Sequence, residues 1–393
     1  MSREPRKFDV IVLGAGAAGL MCAATAGRRG RRVVLLEHGG QAGRKILISG
    51  GGRCNFTNLH CGPENFISEN RHFAKSALAG YRPRDFLALV DRYGIRWHEK
   101  TLGQLFCDGS ARAIMEMLLA ECGLGGVEVV LNASGIQVER DAAVGFRVEC
   151  SAGEFEARSM VVATGGLSIS KLGATGLAYE LAAQFGLNVV PPRPALVPLV
   201  LGGDEAAWTE IPGVAAEVVA KAGTARFREK MLVTHRGLSG PAVLQASSYW
   251  RGGEPLTLDF APGLELLLAG LRAPGARRDA AALKQALREV LPQRLAGFLV
   301  ETDGPAGWGN VALEDWERKL HAWVLHPVET EGFAKAEVTA GGVDTDALQA
   351  RTMEARTMSG LFFIGEAVDV TGWLGGFNFQ WAWASGVAAG KAV

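Results

Sequence analysis

The sequence lacks the features that mark membrane, disulfide-bonded and nucleic-acid-binding proteins. It has no run of about 18 apolar residues free of charges and glycine turns, so we expect no membrane span. Its six cysteines form no C-x-x-C pair, which predicts a reduced, cytoplasmic protein without a metal site. Lys plus Arg and Asp plus Glu each number 41, so net charge favours neither nucleic acid nor an anionic membrane as a partner.

What the chain does contain is the composition of a globular protein, with 48% hydrophobic and 21% charged residues. A length of 393 residues exceeds one usual core and predicts two or three domains. The 52 glycines indicate many tight turns and close backbone approaches.

The stretch from Phe8 to Glu37 has the order strand, glycine turn, helix, strand and acid, which is typical of a dinucleotide site. Gly14, Gly16 and Gly19 form G-x-G-x-x-G, which turns the chain, admits a pyrophosphate and packs the helix on the strand. The helix begins near Ala17, and its free N–H groups and positive dipole end should face the phosphates. A carboxylate at Glu37 is placed to accept both hydroxyls of a ribose. Alone, this motif favours NAD.

Further along, the chain alternates between helical and strand patterns. The glycine-rich stretch from Gly39 to Asn58 shows neither period and is interpreted as a loop. Ser159–Ala163 is predicted to return to the first sheet as a buried strand that stops at Thr164. The other predicted elements are helices at Arg82–Tyr93 and Ala111–Cys122 and a meander of Val127–Leu131, Gly135–Glu139 and Val144–Cys150.

Four prolines between Pro191 and Pro198 mark a boundary, because they can continue neither a helix nor a central strand. Short alternating segments follow to Phe260, then one helical stretch at Ala280–Val300. Residues 361–366 again have a strand that ends in glycine and acid. We therefore predict an α/β nucleotide domain that comprises residues 1–190 and 333–393. A β-rich insertion, residues 191–332, interrupts this domain and contains a helical part at about 262–325.

Three segments resemble a known family. They are G-R-K-I-L-I-S-G-G-G-R-C-N-F-T-N from Gly43, T-H-R-G-L-S-G-P-A-V-L-Q from Thr234 and G-G-F-N-F-Q-W-A-W-A-S-G from Gly375. They look like the HI0933-like flavoproteins, the YhiN/BaiN-type group of NAD(P)/FAD-dependent oxidoreductases. The resemblance implies a Rossmann-like FAD-binding domain of the glutathione-reductase (GR2) type, with an inserted β-barrel-like domain and a small helical subdomain. Since no second G-x-G-x-x-G exists, we assign the one nucleotide site to FAD, with NAD(P)H as a transient reductant.

The FAD site should extend into the glycine-rich segment. Arg44 and Lys45 are placed to grip the pyrophosphate or the reacting ligand, although they could be ordinary exposed cations. The backbone from Ser49 to Asn55 can lie flat against the flavin ring; the alternative is a flexible surface loop. Cys54 is either a nucleophile or charge-transfer thiol, or a packing residue, and we favour packing.

The C-terminal segment should complete the site. Glu366 is predicted to bind the ribitol chain, with a first-turn helix acid as the alternative and Asp369 as the second choice. Helix N–H groups near Gln380 should face N1 and the C2 carbonyl of the flavin. Trp381 and Trp383 are interpreted as core aromatics.

Catalytic candidates lie in the insertion. His235 is predicted to donate a proton and Arg236 to bind a carboxylate of the substrate. Both precede a helix that Ser239 caps and Pro241 begins. A purely structural role for His235 is an equal alternative. The predicted FAD contacts, taken together, are Gly14, Gly16, Ala17, Ala18, Gly19, Glu37, His38, Gly43, Arg44, Lys45, Ser49, Gly50, Gly51, Gly52, Arg53, Cys54, Asn55, Gly135, Ala163, Thr164, Gly165, Gly365, Glu366, Gly376, Phe377, Asn378, Phe379 and Gln380.

The main functional hypothesis is an FAD-dependent oxidoreductase that transfers hydride between flavin N5 and a small organic substrate. The alternatives are a tRNA-modifying flavoprotein, which the neutral charge disfavours, and a flavin-binding redox sensor without turnover. The sequence carries no signal for the oligomeric state.

Overall fold

The computed structural model describes residues 4–393 and divides them into two compact units. The first unit comprises residues 4–193 and 338–393, and the second comprises residues 194–337. The corresponding boundaries predicted from sequence lie at 190/191 and 332/333. Within residues 4–393, no helix has the length and apolar character needed to cross a bilayer.

The strands are numbered in chain order as β1 (Arg6–Leu13), β2 (Val33–Leu36), β3 (Asn55–Asn58), β4 (Phe66–Ile67), β5 (Trp97–Glu99), β6 (Gln104–Cys107), β7 (Glu128–Val130), β8 (Gln137–Asp141), β9 (Gly145–Cys150), β10 (Gly153–Val162), β11 (Val189–Ala195), β12 (Leu199–Val200), β13 (Ala215–Ala222), β14 (Ala225–Val233), β15 (Gly237–Ser239), β16 (Leu256–Asp259), β17 (Trp323–Leu325), β18 (Glu329–Thr330), β19 (Val338–Val343), β20 (Leu361–Phe363) and β21 (Thr371–Gly372).

The helices are α1 (Ala17–Arg28), α2 (Arg44–Gly52), α3 (Ala74–Gly80), α4 (Pro83–Arg92), α5 (Arg112–Leu124), α6 (Leu177–Gln184), α7 (Pro241–Ser247), α8 (Ala269–Arg272), α9 (Ala280–Leu287), α10 (Gln293–Asp303), α11 (Asn310–His321) and α12 (Phe377–Ala392).

The main sheet of the first unit has the order β7-β2-β1-β10-β9-β8, and β20 pairs with β10. Strands β7, β2, β1, β10 and β20 are parallel, and they end level, because Leu13 is in register with Leu36 and with Val162. The apolar residues at the carboxyl ends of β1, β2, β10 and β20 are almost fully buried, as expected of strands covered on both faces, whereas those of the edge strand β7 are partly buried. The loops that follow these strands therefore leave the sheet at one edge, its carboxyl edge, where α/β proteins bind ligands.

The two ends of the chain meet in the helical layer on this sheet, where α1 packs against α12. A Cβ at Gly386 would lie 2.6 Å from the carbonyl oxygen of Ala18, and one at Gly390 would lie 2.7 Å from that of Cys22. Only glycine permits so close an approach of two backbones. The C-terminal segment from Val338 onward thus belongs to the first unit.

Four local predictions were wrong or incomplete. Strand β7 does not belong to the meander but pairs with β2 at the opposite edge. The stretch read as one loop contains α2, whose Ile46 is buried, and β3, which pairs with β6. Ala280–Val300 is two helices, because Pro292 cannot donate the next helical hydrogen bond. Gly240, not Ser239, occupies the N-cap of α7.

The second unit is built on an antiparallel sheet with the order β17-β16-β13-β14-β15-β12-β18. Helices α8 to α11 lie in the connection from β16 to β17. Trp208 packs against Phe260, Phe298 and Trp323 in the core of this unit, with ring centroids 4.9 to 6.3 Å apart.

Candidate functional site

The glycine turn after β1 combines close backbone packing with one open position. A Cβ at Gly14 would lie 2.6 Å from the carbonyl oxygen of Ala163, and one at Gly19 would lie 1.9 Å from that of Gly14. A Cβ at Gly16, in contrast, would meet no protein atom within 4 Å. The first and third glycines are therefore needed for packing, whereas the second borders open space. No side chain caps α1, so the N–H groups of its first turn, at Ala17 and Ala18, have no side-chain acceptor.

Glu37 lies at the end of β2, with its carboxylate against the same turn. Its Oε2 accepts the Ala15 N–H at 2.8 Å, and its Oε1 accepts the Gly39 N–H at 2.8 Å. The ring of His38 is 3.2 Å from Oε1. Because an ionised carboxylate accepts about four hydrogen bonds, the two backbone donors fix its orientation and leave capacity for ribose hydroxyls.

Lys45 and Glu366 form an ion pair at this edge, which the sequence had predicted only as two separate contacts. The ammonium of Lys45 lies 2.7 Å from Oε2 of Glu366 and 2.6 Å from the Ser168 hydroxyl. Oε1 of Glu366 accepts from the Ser168 hydroxyl at 2.7 Å and from the Thr339 N–H at 3.0 Å. The pair and its hydrogen-bond partners thus connect four elements: helix α2, the loop that follows β10, strand β19 and the turn that follows β20.

The charges in this cluster determine the protonation state of Glu366. Burial by itself would raise the pKa of this carboxyl, but the Lys45 ammonium and the Ser168 and Thr339 hydrogen bonds lower it below the ordinary value. Glu366 is therefore an anion at neutral pH.

Sequence reasoning missed Ser168 and Thr339. The Thr339 hydroxyl also accepts the N–H groups of Leu167 and Ser168, so it shapes the loop that follows Ala163-Thr164-Gly165. Ser168 follows that predicted contact directly and could have been included with it. Thr339 carries no local signal, because its role depends on the packing of β19 beside the loop.

Arg44 and Gly43 begin α2 at the rim of the turn. Gly43 has a φ of 64°, and a Cβ there would lie 2.0 Å from the sulfur of Met115. Its N–H donates to the carbonyl of Ala15, and this bond holds the start of α2 against the glycine turn after β1. The Arg44 guanidinium contacts the carbonyl of Leu172 at 3.3 Å and forms no ion pair within residues 4–393, so it is free to bind an anion.

The glycine run at the end of α2 departs from helical geometry and adopts a backbone that other residues resist. Gly50, Gly51 and Gly52 all have positive φ values, between 57° and 82°. The turn closes where the Cys54 N–H donates to the carbonyl of Ser49. The turn therefore has a defined conformation that depends on its glycines.

Cys54 is fully buried beside this turn, which agrees with the packing role. Burial raises the pKa of the Cys54 thiol to about 12, even though a hydrogen bond with Ser49 acts in the opposite direction. We expect Cys54 to resist iodoacetamide at pH about 8 in the native protein and to react only after denaturation, because the thiolate is the nucleophile. Peptide mass spectrometry measures this, with the half-buried Cys150 as the comparison; equal rates at both cysteines would contradict the prediction.

The start of α12 lies against β3. Gly376, the N-cap residue, has a φ of 95°, and a Cβ there would lie 2.4 Å from the carbonyl oxygen of Thr57. Its N–H is 3.3 Å from the side-chain amide of Asn55. No side chain caps α12, so N–H groups in its first turn remain available. The segments containing Asn55 and Phe377 are thus brought together.

Several predicted contacts of this helix have internal roles. The Gln380 amide accepts from the Thr57 hydroxyl at 2.6 Å and donates to the carbonyl of Tyr81 at 2.8 Å. Asn378 bonds the backbone of Gly372 in both directions. The ring of Phe379 stacks on Trp383 with centroids 5.6 Å apart. These contacts fix the helix start and do not themselves test a flavin contact.

Trp381 and Trp383 are core residues, as predicted. Both are almost fully buried, and Trp383 stacks on Phe86 with centroids 4.4 Å apart. Asp369, the second choice for the ribitol contact, is buried and accepts the N–H of Glu69 at 2.8 Å.

The remaining predicted contacts lie around the carboxyl edge. Gly365 has a φ of 64°, and a Cβ there would be 2.8 Å from that of Ala18, so it is part of the helix packing. The Thr164 hydroxyl is buried without a hydrogen-bond partner in residues 4–393. Gly135 is exposed, in the loop where the Ala133 N–H bonds the carbonyl of Glu37. Arg53 is exposed.

His235 and Arg236 lie in the second unit, in the turn from β14 to β15. Both are exposed, and the Thr234 hydroxyl accepts the N–H groups of Arg236 and Gly237. The Arg236 guanidinium is 3.8 Å from the carboxylate of Glu329 and 3.9 Å from that of Glu331, so two anions already share its charge. Their catalytic roles stay predictions.

The geometry agrees with comparisons to known proteins. The family model described as HI0933-like protein Rossmann domain matches residues 8–392. A ribosomal RNA dihydrouridine synthase of Escherichia coli is 47% identical over 98% of this chain and 98% of its own. A 3-dehydro-bile acid delta(4,6)-reductase of Clostridium scindens is 30% identical over 97% of this chain and 98% of its own. The open conformation of a flavocytochrome c3 fumarate reductase has a TM-score of 0.50 at 17% identity, covering 98% of this chain and 78% of that one, which shows a shared fold.

Proposed function

The chain belongs to the HI0933-like family of FAD-dependent oxidoreductases, and from that premise we propose that it reduces uridine in ribosomal RNA to dihydrouridine. The observation that carries the proposal is the likeness to the E. coli synthase, which extends along nearly the whole of both chains. An active site and the surfaces that recognise a substrate are both included in a match of that extent.

We propose that the carboxyl edge holds the FAD. In this arrangement Glu37 binds the adenosine ribose, and the first turn of α1 at Gly16 binds the pyrophosphate. The open space beside Gly16 and the buried, unpartnered hydroxyl of Thr164 both support it. The glycine turn at Gly50–Gly52 and the uncapped start of α12 then border the flavin ring.

The reaction adds two hydrogens to the C5=C6 bond of uracil. This bond is conjugated with the C4 carbonyl, so a hydride adds to C6 while a proton adds to C5, and no other bond breaks. FAD that is bound and has been reduced by NAD(P)H would supply the hydride. The α12 N–H groups, with the positive end of the helix dipole, would stabilise negative charge at the site.

The bile-acid reductase relative supports the same class of reaction. Its name gives an oxidised carbon 3 and double bonds at carbons 4 and 6, an alkene conjugated with a carbonyl. A carbonyl-conjugated alkene is therefore the acceptor that both relatives share with our proposal. The electrons would come from NAD(P)H that binds transiently, since the chain has no second dinucleotide motif.

Net neutrality alone had argued against nucleic acid, but a local feature favours it. Arg53 and Arg112 are both exposed and form no ion pair in the described part of the chain. Their backbones lie close together, because the Ala111 N–H donates to the carbonyl of Gly52 at 2.7 Å. Two free guanidinium groups beside the glycine turn are suited to RNA phosphates.

Expression of this chain in an E. coli strain that lacks its own synthase tests the proposal. We expect dihydrouridine to return to the ribosomal RNA, measured by nucleoside mass spectrometry. A Gly16→Val variant that accumulates to the same level should not restore it. Active, FAD-loaded protein that leaves the ribosomal RNA unmodified would contradict the proposal.

A second candidate is reduction of a small carbonyl-conjugated alkene, which the neutral net charge favours. Steady-state assays with ribosomal RNA and with a soluble enone separate the two. RNA turnover that falls steeply with added salt supports the RNA substrate, since phosphate contacts release counterions. Enone turnover without RNA turnover supports the second candidate.

A further inference from the structure

Buried polar atoms without partners are uncommon in folded proteins, because leaving such a group unpaired is costly. Within residues 4–393 there are four such side-chain atoms: Thr164 Oγ1, Tyr179 Oη, His321 Nε2 and Thr345 Oγ1. Thr164 belongs to the FAD site predicted from sequence. Tyr179 does not, yet it lies near the same edge of the sheet.

Tyr179 is in the first turn of α6, directly after the loop that borders Arg44 and His38. A Cβ at Gly173 in that loop would lie 2.8 Å from Nε2 of His38 and 3.4 Å from the Arg44 guanidinium. The loop is therefore in contact with the residues that follow β2, and it brings the start of α6 to the carboxyl edge.

The phenol of Tyr179 keeps its proton at any physiological pH. Burial raises the pKa of this hydroxyl well above its ordinary value, and the negative charge of Glu366 raises it further. Tyr179 is thus a hydrogen-bond donor. Glu366 is not its acceptor, because the Tyr179 hydroxyl has no hydrogen-bond partner among residues 4–393.

We propose that the Tyr179 hydroxyl donates a hydrogen bond to an oxygen in the ribityl-pyrophosphate segment of bound FAD. The segment follows from position, because Tyr179 lies near Glu366, the proposed ribitol contact, and directly follows the loop beside His38 and Arg44. The assignment does not depend on which substrate the enzyme reduces.

The test compares Tyr179→Phe with Tyr93→Phe as a matched control. Tyr93 loses a hydroxyl that bonds Glu121 at 2.7 Å, on α5. Flavin-fluorescence titration of the apoprotein gives the FAD dissociation constant, and thermal unfolding of the apoprotein gives its Tm. We expect Tyr179→Phe to weaken FAD binding about tenfold and to leave the apoprotein Tm unchanged or higher, since it removes an unpaired buried hydroxyl.

The control should leave the FAD dissociation constant at the wild-type value. A second pair, Thr164→Val and Thr345→Val, removes one unpartnered hydroxyl at the FAD site and one elsewhere, and only the first should weaken FAD binding. An unchanged dissociation constant in Tyr179→Phe would overturn the proposal, as would a fall in apoprotein Tm, which would assign the hydroxyl a structural role.

Discussion

A Gly16→Val variant is expected to fold normally and to lose FAD. Gly16 has a φ of −81° and a ψ of −171°, an extended conformation that valine readily adopts, and its Cβ direction is free of protein atoms. The valine side chain would fill the space proposed for the pyrophosphate and cover the N–H groups of α1. We expect the FAD dissociation constant to rise at least about 100-fold, equivalent to about 2.7 kcal/mol.

The measurements are the visible flavin absorbance of the purified protein and the Tm of its apoprotein. The apoprotein should be as stable as wild type or slightly more. Replacing glycine at a compatible site lowers the entropy of the unfolded chain, which stabilises the folded protein by about 0.4–1 kcal/mol. Purification of Gly16→Val with a full complement of FAD would rule out a pyrophosphate at this turn.

Gly19→Ala is the informative contrast within the same motif. Its added methyl group would lie 1.9 Å from the carbonyl oxygen of Gly14, so α1 must move away from β1. We expect a loss of at least about 3 kcal/mol in the free energy of unfolding of the apoprotein. The smaller substitution should thus be the more damaging to the fold, and the larger one the more damaging to FAD binding.

A Lys45→Met variant is expected to destabilise the apoprotein most at neutral pH. The change leaves the Glu366 carboxylate without its cation, and one-sided loss of a buried pair costs about 3–5 kcal/mol. The side chains of Lys45 and Glu366 are 34% and 20% exposed, so solvent screening reduces the expected loss to about 2 kcal/mol.

The stabilities of the wild type and of Lys45→Met should change in opposite directions as the pH falls. In the wild type the folded-state pKa of Glu366 is lowered, so its contribution is present above the unfolded-state pKa of about 4.3 and is lost as the pH falls through the folded value. Without Lys45, burial should raise that pKa above the unfolded value. The ionised carboxylate then destabilises the fold at pH about 7, and protonation relieves the loss as the pH falls toward about 4.

Denaturant unfolding of the apoprotein at several pH values measures the effect. Lys171→Met is the control, since Lys171 is exposed and has no ion pair among residues 4–393. Adding Glu366→Gln to Lys45→Met should recover part of the lost stability. The same loss in Lys45→Met and Lys171→Met across the pH range would show that the ion pair contributes nothing.

Local sequence pattern was sufficient to predict the glycine turn after β1, because the strands, glycines, helix and acid that define it lie within about 30 residues of sequence. Strand β1, helix α1, strand β2 and Glu37 all lie where the periodicity and the glycine spacing predict. The prediction failed where neighbours decide the conformation. The sequence of the short strand β7 does not indicate which strand it pairs with. It pairs with β2 because the sheet has a free edge there.

The sequence by itself determined the fold family, the single dinucleotide motif and the separate segments that we assign to the FAD site. Only the tertiary structure decided how those segments combine. Lys45 and Glu366 are 321 residues apart and pair because β2 and β20 end at the same edge of one sheet. The unpartnered hydroxyl of Tyr179 has no sequence signature either, since whether a polar atom has a partner depends on every residue packed around it.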